Sequence, residues 1–120
     1  MKSNDKRLKK YVLVAIAALL ENIGNKPLDN ATTSQLAREV NVNRKLLQEG
    51  FKEIVGMGIK EYRIMKRMEI AQQLLAEGLK SIKEIAVVCR YKSQSAFTTA
   101  FKKLYGLSPT EWQDQHFASY

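Results

Sequence analysis

Apolar residues recur at three- and four-residue steps in several separate stretches of the chain, and one long stretch organises the rest. It runs from Ile59 to Glu77 between Gly58 and Gly78, with Tyr62, Met65, Met68, Ala71, Leu74 and Leu75 at helical spacing. Ile59, Ile64 and Ile70 fall on its other faces. A helix that is apolar on more than one side needs neighbours on both, so this stretch predicts a long helix with a packed segment before and after it.

The segment before it opens with a helix over Asp5 to Ile23, whose inward stripe is Leu8, Val12, Ile16, Leu19, Leu20 and Ile23. Gly24, Asn25 and Pro27 end it, and LDNA makes a loop. Thr32 starts a short helix in which Gln35 returns a hydrogen bond to the cap and Leu36, Ala37 and Val40 face inward. Asn41 stops that helix, because asparagine tolerates the left-handed backbone of a tight turn. Asn43 caps the next helix, Arg44 to about Ile54, which buries Leu47, Gly50, Phe51 and Ile54 and exposes Arg44, Lys45, Gln48, Glu49 and Lys52. The result is a helix, a tight turn and a second helix whose outer face is rich in hydrogen-bonding groups.

The segment after the long helix has the same design. Gly78 suits a left-handed cap with Leu79 folding back as its apolar partner. Ser81 and Glu84 form a capping box for a helix with Ile82, Ile85, Ala86 and Cys89 inside, and Arg90 and Tyr91 occupy the turn. A helix from about Ser93 to Leu104 buries Phe97, Ala100, Phe101 and Leu104 and exposes Gln94, Ser95, Thr98, Thr99, Lys102 and Lys103. Ser108, Pro109 and Glu111 begin a last helix, docked by Trp112 and Phe117. The fold class is all-α, with about seven helices.

Composition narrows the partner. With 120 residues, 45% apolar and 27% charged, the chain forms one compact domain or two very small subdomains. A net charge of +8 and a pI near 9.7 favour a polyanion, either nucleic acid or an acidic membrane surface. The start MKSNDKRLKK followed by YVLVAIAALL imitates a signal peptide, but no small-x-small cleavage site follows and the apolar run is too short to span a bilayer. The cations at that start oppose the helix dipole and so serve phosphate contact, a severed linker or solubility. The single cysteine, Cys89, excludes an internal disulfide and a cysteine-rich metal site, and its apolar surroundings read as core. With one histidine, no glycine-rich phosphate loop and no metal-spaced cluster, neither an enzyme nor a cofactor is expected. His116 has no evident partner and reads as a surface residue.

The two flanking segments match in detail. Ala37 to Val42 and Ala86 to Tyr91 are both five steps, as are Phe51 to Gly56 and Phe101 to Gly106, and Gly56 to Tyr62 and Gly106 to Trp112 are both six. Such a repeat in so short a chain marks two copies of one supersecondary unit. Ile59 to Glu77, at about 1.5 Å per residue, spans about 28 Å, near the roughly 34 Å between successive major grooves on one face of DNA. It reads as a spacer between two DNA-reading units.

The string IAVVCRYKSQSAFTTAFKKLYGLSPTEW, preceded by LAREVNVNRKLLQEGFKEIVGMGIKEYRIMKRMEIAQQLL, resembles the DNA-binding domain of AraC/XylS-type transcription regulators over about Val12 to Trp112. The most specific part is the spacing of Phe97, Phe101, Lys102, Gly106, Ser108 and Pro109. The resemblance implies two helix-turn-helix subdomains, residues 5–57 and 79–120, joined by a linker helix at 58–78, with recognition helices in adjacent major grooves of double-stranded DNA. Carried over by position, it implies base contacts from Arg44, Lys45, Gln48 and Glu49 in the first groove and from Gln94, Ser95 and Thr99 in the second. Glutamine pairs bidentately with adenine, lysine with guanine, and glutamate accepts from the cytosine amino group. Asn43, Lys52, Lys92, Ser93, Lys102 and Lys103 are the expected phosphate contacts.

Departures from the family pattern are concentrated in the second unit. Glycine is usual in both turns, where this chain has Asn41 and Arg90; arginine in a left-handed conformation costs roughly 1 kcal/mol or more, so a reshaped second turn is expected. Lys92 stands where a small cap is common, which passes the cap to Ser93, and Thr99 stands where a longer basic residue is frequent. The loop before Thr32 is longer than is typical, and Gly50 inside a recognition helix costs about 1 kcal/mol against alanine.

The expected function is cytoplasmic, sequence-specific DNA binding that activates transcription through contact with RNA polymerase. The rival is a basic protein-interaction or membrane-surface module. That reading needs large exposed apolar residues, whereas every apolar stripe here is expected to have an internal partner. A monomer is expected for want of a heptad seam, and the extended basic start favours a piece of a longer regulator whose effector or dimerisation domain lies elsewhere.

Overall fold

The computed structural model describes residues 9–119. Within them the chain forms α1 (Lys10–Asn25), α2 (Thr33–Glu39), α3 (Arg44–Val55), α4 (Ile59–Glu77), α5 (Ile82–Val88), α6 (Gln94–Tyr105) and α7 (Pro109–Ala118), with no strand among the described residues. The fold is all-α, with two helix-turn-helix units joined by α4. The expected beginning of the first helix at Asp5, with Leu8 in its stripe, lies outside the described residues. By packing the chain divides into two compact units, Met1–Ile64 and Met65–Tyr120, the boundary falling inside α4.

In the first unit Val12, Ala15, Ile16, Leu19 and Ile23 of α1 bury against Leu36 and Ala37 of α2, Val42 of the turn, Leu47 and Phe51 of α3, and Ile59. Each of the Val, Leu, Ile and Phe side chains among them, fully buried, contributes roughly 1.5–3 kcal/mol. Tyr62 meets Phe51 edge-on at 5.5 Å between ring centroids. The long loop before Thr32 is held by Arg63, whose Nη1 and Nη2 donate to the carbonyls of Ala31 at 2.6 Å and Asp29 at 2.8 Å. A loop with few internal hydrogen bonds thereby gains partners for carbonyls that would otherwise be left without them.

In the second unit Met68, Ala71, Leu75, Ile85, Ala86, Cys89, Phe97 and Phe101 are buried, with Pro109. Rings dominate here. Phe101 lies 5.9 Å from Phe97, 4.7 Å from Tyr105 and 6.4 Å from Trp112. Gln113 Nε2 donates to the carbonyl of Leu75 at 2.9 Å, which fixes α7 to α4.

Capping follows the sequence closely. Thr32 with Gln35, Ser81 with Glu84 and Ser108 with Glu111 all close reciprocal capping boxes, and Pro109 opens α7. The backbone and side-chain hydrogen bonds from Ser81 and Ser108 hold the carboxyls of Glu84 and Glu111 below the usual carboxylate range. At the start of α4 the same device appears in half form: Gly58 N–H donates to Glu61 Oε1 at 2.9 Å, although glycine offers no side chain in return.

Five expectations are corrected. Ile54 and Leu104 are exposed, because the next residues, Val55 and Tyr105, turn inward in the last helical turn; Val55 packs on the core and Tyr105 on Phe101. Leu79 does not fold back. It is 83% exposed, and the ring of Phe117 covers Gly78 instead, so that a Cβ added at Gly78 would lie 3.0 Å from the ring. His116 has partners: it stacks on Trp112 at 5.2 Å with an interplanar angle of 6° and meets Phe117 edge-on. The turn at Arg90 is not reshaped: Arg90 is left-handed like Asn41. Finally, Tyr11, Leu13 and Val14 on α1 and Val87 on α5 are exposed, so not every apolar stripe has an internal partner. A helix touched on one side only can carry apolar residues on its free face without loss of fold.

Candidate nucleic-acid interface

Both turns use one backbone solution. Asn41 takes φ 57° and Arg90 φ 67°, both left-handed. In the first turn Asn41 N–H donates to the Arg38 carbonyl at 3.1 Å and Val42 N–H to the Ala37 carbonyl at 3.1 Å; in the second, Arg90 N–H donates to Val87 at 3.0 Å and Tyr91 N–H to Ala86 at 3.0 Å. Two hydrogen bonds per turn satisfy helix-end carbonyls that burial would otherwise leave without partners, and this holds Arg90 in a conformation that its Cβ disfavours.

These turns deliver α3 and α6 already capped. Asn43 Oδ1 accepts from Lys45 N–H at 2.9 Å and from Leu46 N–H at 3.2 Å, and Ser93 Oγ accepts from Ala96 N–H at 3.0 Å. Ser93 therefore does take the cap. The amide group of Asn43 and the hydroxyl hydrogen of Ser93 remain available as donors beside the helix N-terminus, a favourable place for an anion. One face of each helix is anchored by Leu47 and Phe51, or by Phe97 and Phe101, all fully buried. This turns the opposite face outward.

On α3 the outward face carries Arg44, Lys45, Gln48, Glu49 and Lys52, all exposed. On α6 it carries Gln94, Ser95, Thr99, Lys102 and Lys103, exposed, and Thr98, half-buried; Lys92 is exposed just before it. Within each unit, then, the expected residues come together on one helix face. Two polar residues beside these faces were not among the expected contacts, Ser34 and Thr98. Ser34 of α2 accepts a hydrogen bond from Arg44 Nη1 at 3.3 Å, which uses one of the five guanidinium donors. Thr98, expected exposed but half-buried, occupies in α6 the position of Gln48 in α3, since Asn43 to Phe51 and Ser93 to Phe101 are both eight steps.

Cys89 is fully buried, and desolvation pushes its thiol up to about 11, which leaves it unreactive. Among the described residues no group of three or more His, Cys, Asp or Glu side chains could hold a metal ion, and no helix is long and apolar enough to cross a membrane.

Two capped, outward-facing polar helices, each set by a left-handed turn on a short partner helix, define a tandem helix-turn-helix DNA-binding domain. The family described as "Helix-turn-helix domain" matches residues 36–115. The chain belongs to the AraC/XylS-type family of transcription regulators and carries its DNA-binding domain, which is not a class of enzymes. An AraC-like transcription regulator of Streptomyces antibioticus is 33% identical over 98 residues, 82% of this chain and 32% of its own length. The xylose operon regulatory protein of Escherichia coli K12 is 32% identical over 100 residues, 83% of this chain and 26% of its own length. The chain thus spans about a third or less of the length of these relatives. The DNA-binding domain of AdpA, a global transcriptional factor solved in complex with a target DNA, shares the fold with a TM-score of 0.80 over 88% of this chain and 95% of its own, at 22% identity.

Proposed function

We propose that the chain binds double-stranded DNA sequence-specifically, with α3 and α6 in adjacent major grooves, and that it activates transcription in the cytoplasm by contact with RNA polymerase. Residues 5–57 and 79–120 act as the two reading subdomains and 58–78 as the linker helix. The observation that carries this reading is the equivalence of the two helix-turn-helix units: α3 and α6 are each opened by a side-chain cap, anchored eight steps on by a fully buried phenylalanine, Phe51 or Phe101, and ended at a left-handed glycine. Two helices capped and anchored alike on one chain suit two grooves of one polymer.

Arg44, Lys45, Gln48 and Glu49 are assigned to bases in one groove and Gln94, Ser95 and Thr99 to bases in the other. Asn43, Lys52, Lys92, Ser93, Lys102 and Lys103 are assigned to phosphates, which set register and affinity without choosing sequence. Binding to a promoter fragment and to a scrambled duplex, measured at one physiological salt concentration, tests the reading. Preference for the promoter supports it, and equal affinity overturns sequence specificity. Replacing any one of the four lysines by alanine should lower affinity on all sequences and reduce the salt slope by about one.

A further inference from the structure

The two recognition helices carry unlike chemistry at matching positions. Counted from the caps Asn43 and Ser93, Arg44 corresponds to Gln94, Lys45 to Ser95 and Glu49 to Thr99. The first helix therefore presents long charged groups in its first two turns, whereas the second presents none before Lys102. Instead α6 exposes short side chains, Ser95, Ala96 and Thr99, around the single long amide of Gln94.

From this contrast we infer that the two units read half-sites of different base composition: α3 a half-site with obligatory G·C pairs, and α6 a half-site of A·T pairs recognised in large part through thymine methyl groups. The inference rests on the groove-reading role proposed above. Discriminating contacts to guanine O6 and N7 come from arginine or lysine, and acceptance from cytosine N4 comes from a carboxylate. On α3, Arg44, one of whose donors reaches Ser34, and Lys45 are the exposed cations for guanine, with Glu49 one turn on for cytosine. The first two turns of α6 hold neither type of group. Gln94 can pair with adenine N6 and N7, and the methyls of Ala96 and Thr99 complement the thymine C5 methyl, the one apolar feature of the major-groove edge. Short side chains also let the helix backbone approach the bases closely enough for methyl contact.

Selection of bound duplexes from a random pool by this chain should yield a bipartite site with fixed G·C pairs in one half and only A·T pairs in the other. Thr99→Arg should introduce a guanine preference into the A·T half, which assigns that half to α6, and Lys45→Ala should relax a G·C pair in the other half by about five- to 150-fold. Replacing thymine by deoxyuridine removes only the methyl. In the α6 half each replacement should weaken binding of the unaltered chain by about fourfold, the factor for one buried methyl, and in the α3 half by less than about twofold. A fixed G·C pair in the α6 half, or equal deoxyuridine effects in both halves, overturns the inference while sequence-specific binding stands. A pool with no enriched sequence overturns both.

Discussion

In the first unit the turn between α2 and α3 passes through Asn41 and seats Val42 on an aliphatic interior in which Phe51 meets Tyr62. In the second the turn passes through Arg90 and seats Tyr91 against the edge of Phe97 at 5.7 Å, with the guanidinium of Arg67 5.7 Å from the Tyr91 ring centre. Backbone angles and turn hydrogen bonds are nonetheless alike. The shared geometry thus belongs to the spacing of buried positions and to the hydrogen bonds of the turn, and the residues that fill the interior can change from aliphatic to aromatic without moving the recognition helix. The same separation lets the first two turns of α6 present no long charged group outward while the inner face carries Phe97 and Phe101.

The largest expected effect tests the two interiors against each other. Phe51→Ala and Phe101→Ala each remove a fully buried ring, at a cost of about 3–5 kcal/mol. Phe101 contacts the rings of Phe97, Tyr105 and Trp112, whereas Phe51 pairs with Tyr62, so Phe101→Ala should lie at the upper end of that range and Phe51→Ala at the lower. Chemical denaturation of the two variants checks this. Equal losses would mean that ring-on-ring contact adds nothing beyond buried area.

Alkaline pH should also separate the units. Burial raises the Cys89 thiol from 9.0 to about 11, and burial likewise raises the phenols of Tyr91 and Tyr105. All three groups lie in the second unit. As pH climbs through this window the unfolded chain loses these protons first, so the folded state binds more protons and stability falls. The contribution of Cys89 is fully present below pH 9 and is lost as pH rises through about 11, amounting at most to roughly 2–3 kcal/mol. Denaturation midpoints followed from pH 8 to 11 should decline, and Cys89→Ala should flatten the decline whatever its effect at neutral pH.

Much of this was legible in the sequence because helix caps and left-handed glycines are local signals. Three capping boxes, the glycine stops and the limits of α4 are written in residues three or four apart. The positions of Lys45, Gln48 and Gln94 on the outer face follow from helical period once Phe51 and Phe101 are taken as core. What was not legible depends on contacts distant in sequence. Nothing near Leu79 says that Phe117, on another helix, takes its place over Gly78. Nothing near Asp29 says that Arg63 holds that loop. The turn at Arg90 was misread for a different reason: the intrinsic cost of a left-handed arginine is real, but it is smaller than the cost of abandoning the turn's hydrogen bonds and the burial of Cys89.

The contact of Phe117 with Gly78 gives a smaller test. Gly56 and Gly78 both sit in the left-handed region, at φ 92° and 71°, but a Cβ at Gly56 meets open space and one at Gly78 meets the Phe117 ring at 3.0 Å. Gly56→Ala should cost about 1 kcal/mol from the backbone alone. Gly78→Ala should cost up to about 2 kcal/mol, because the ring must also leave its seat. In the background of Phe117→Ala the excess should vanish, as a double-mutant cycle would register.

The smallest effect bears directly on the two turns. Replacing Arg90 by glycine relieves a left-handed strain of about 1–2 kcal/mol but frees the unfolded chain by about 0.5–1 kcal/mol, so Arg90→Gly should raise stability by up to about 1 kcal/mol. Asn41→Gly undergoes the same loss in the unfolded state with little strain to relieve, and should be neutral or slightly destabilising, within about 0.5 kcal/mol. Thermal melts of the two variants, side by side, decide the matter. If Arg90→Gly is no more stable than Asn41→Gly, the arginine is not strained, and the second turn owes its geometry to its own residues as much as the first does.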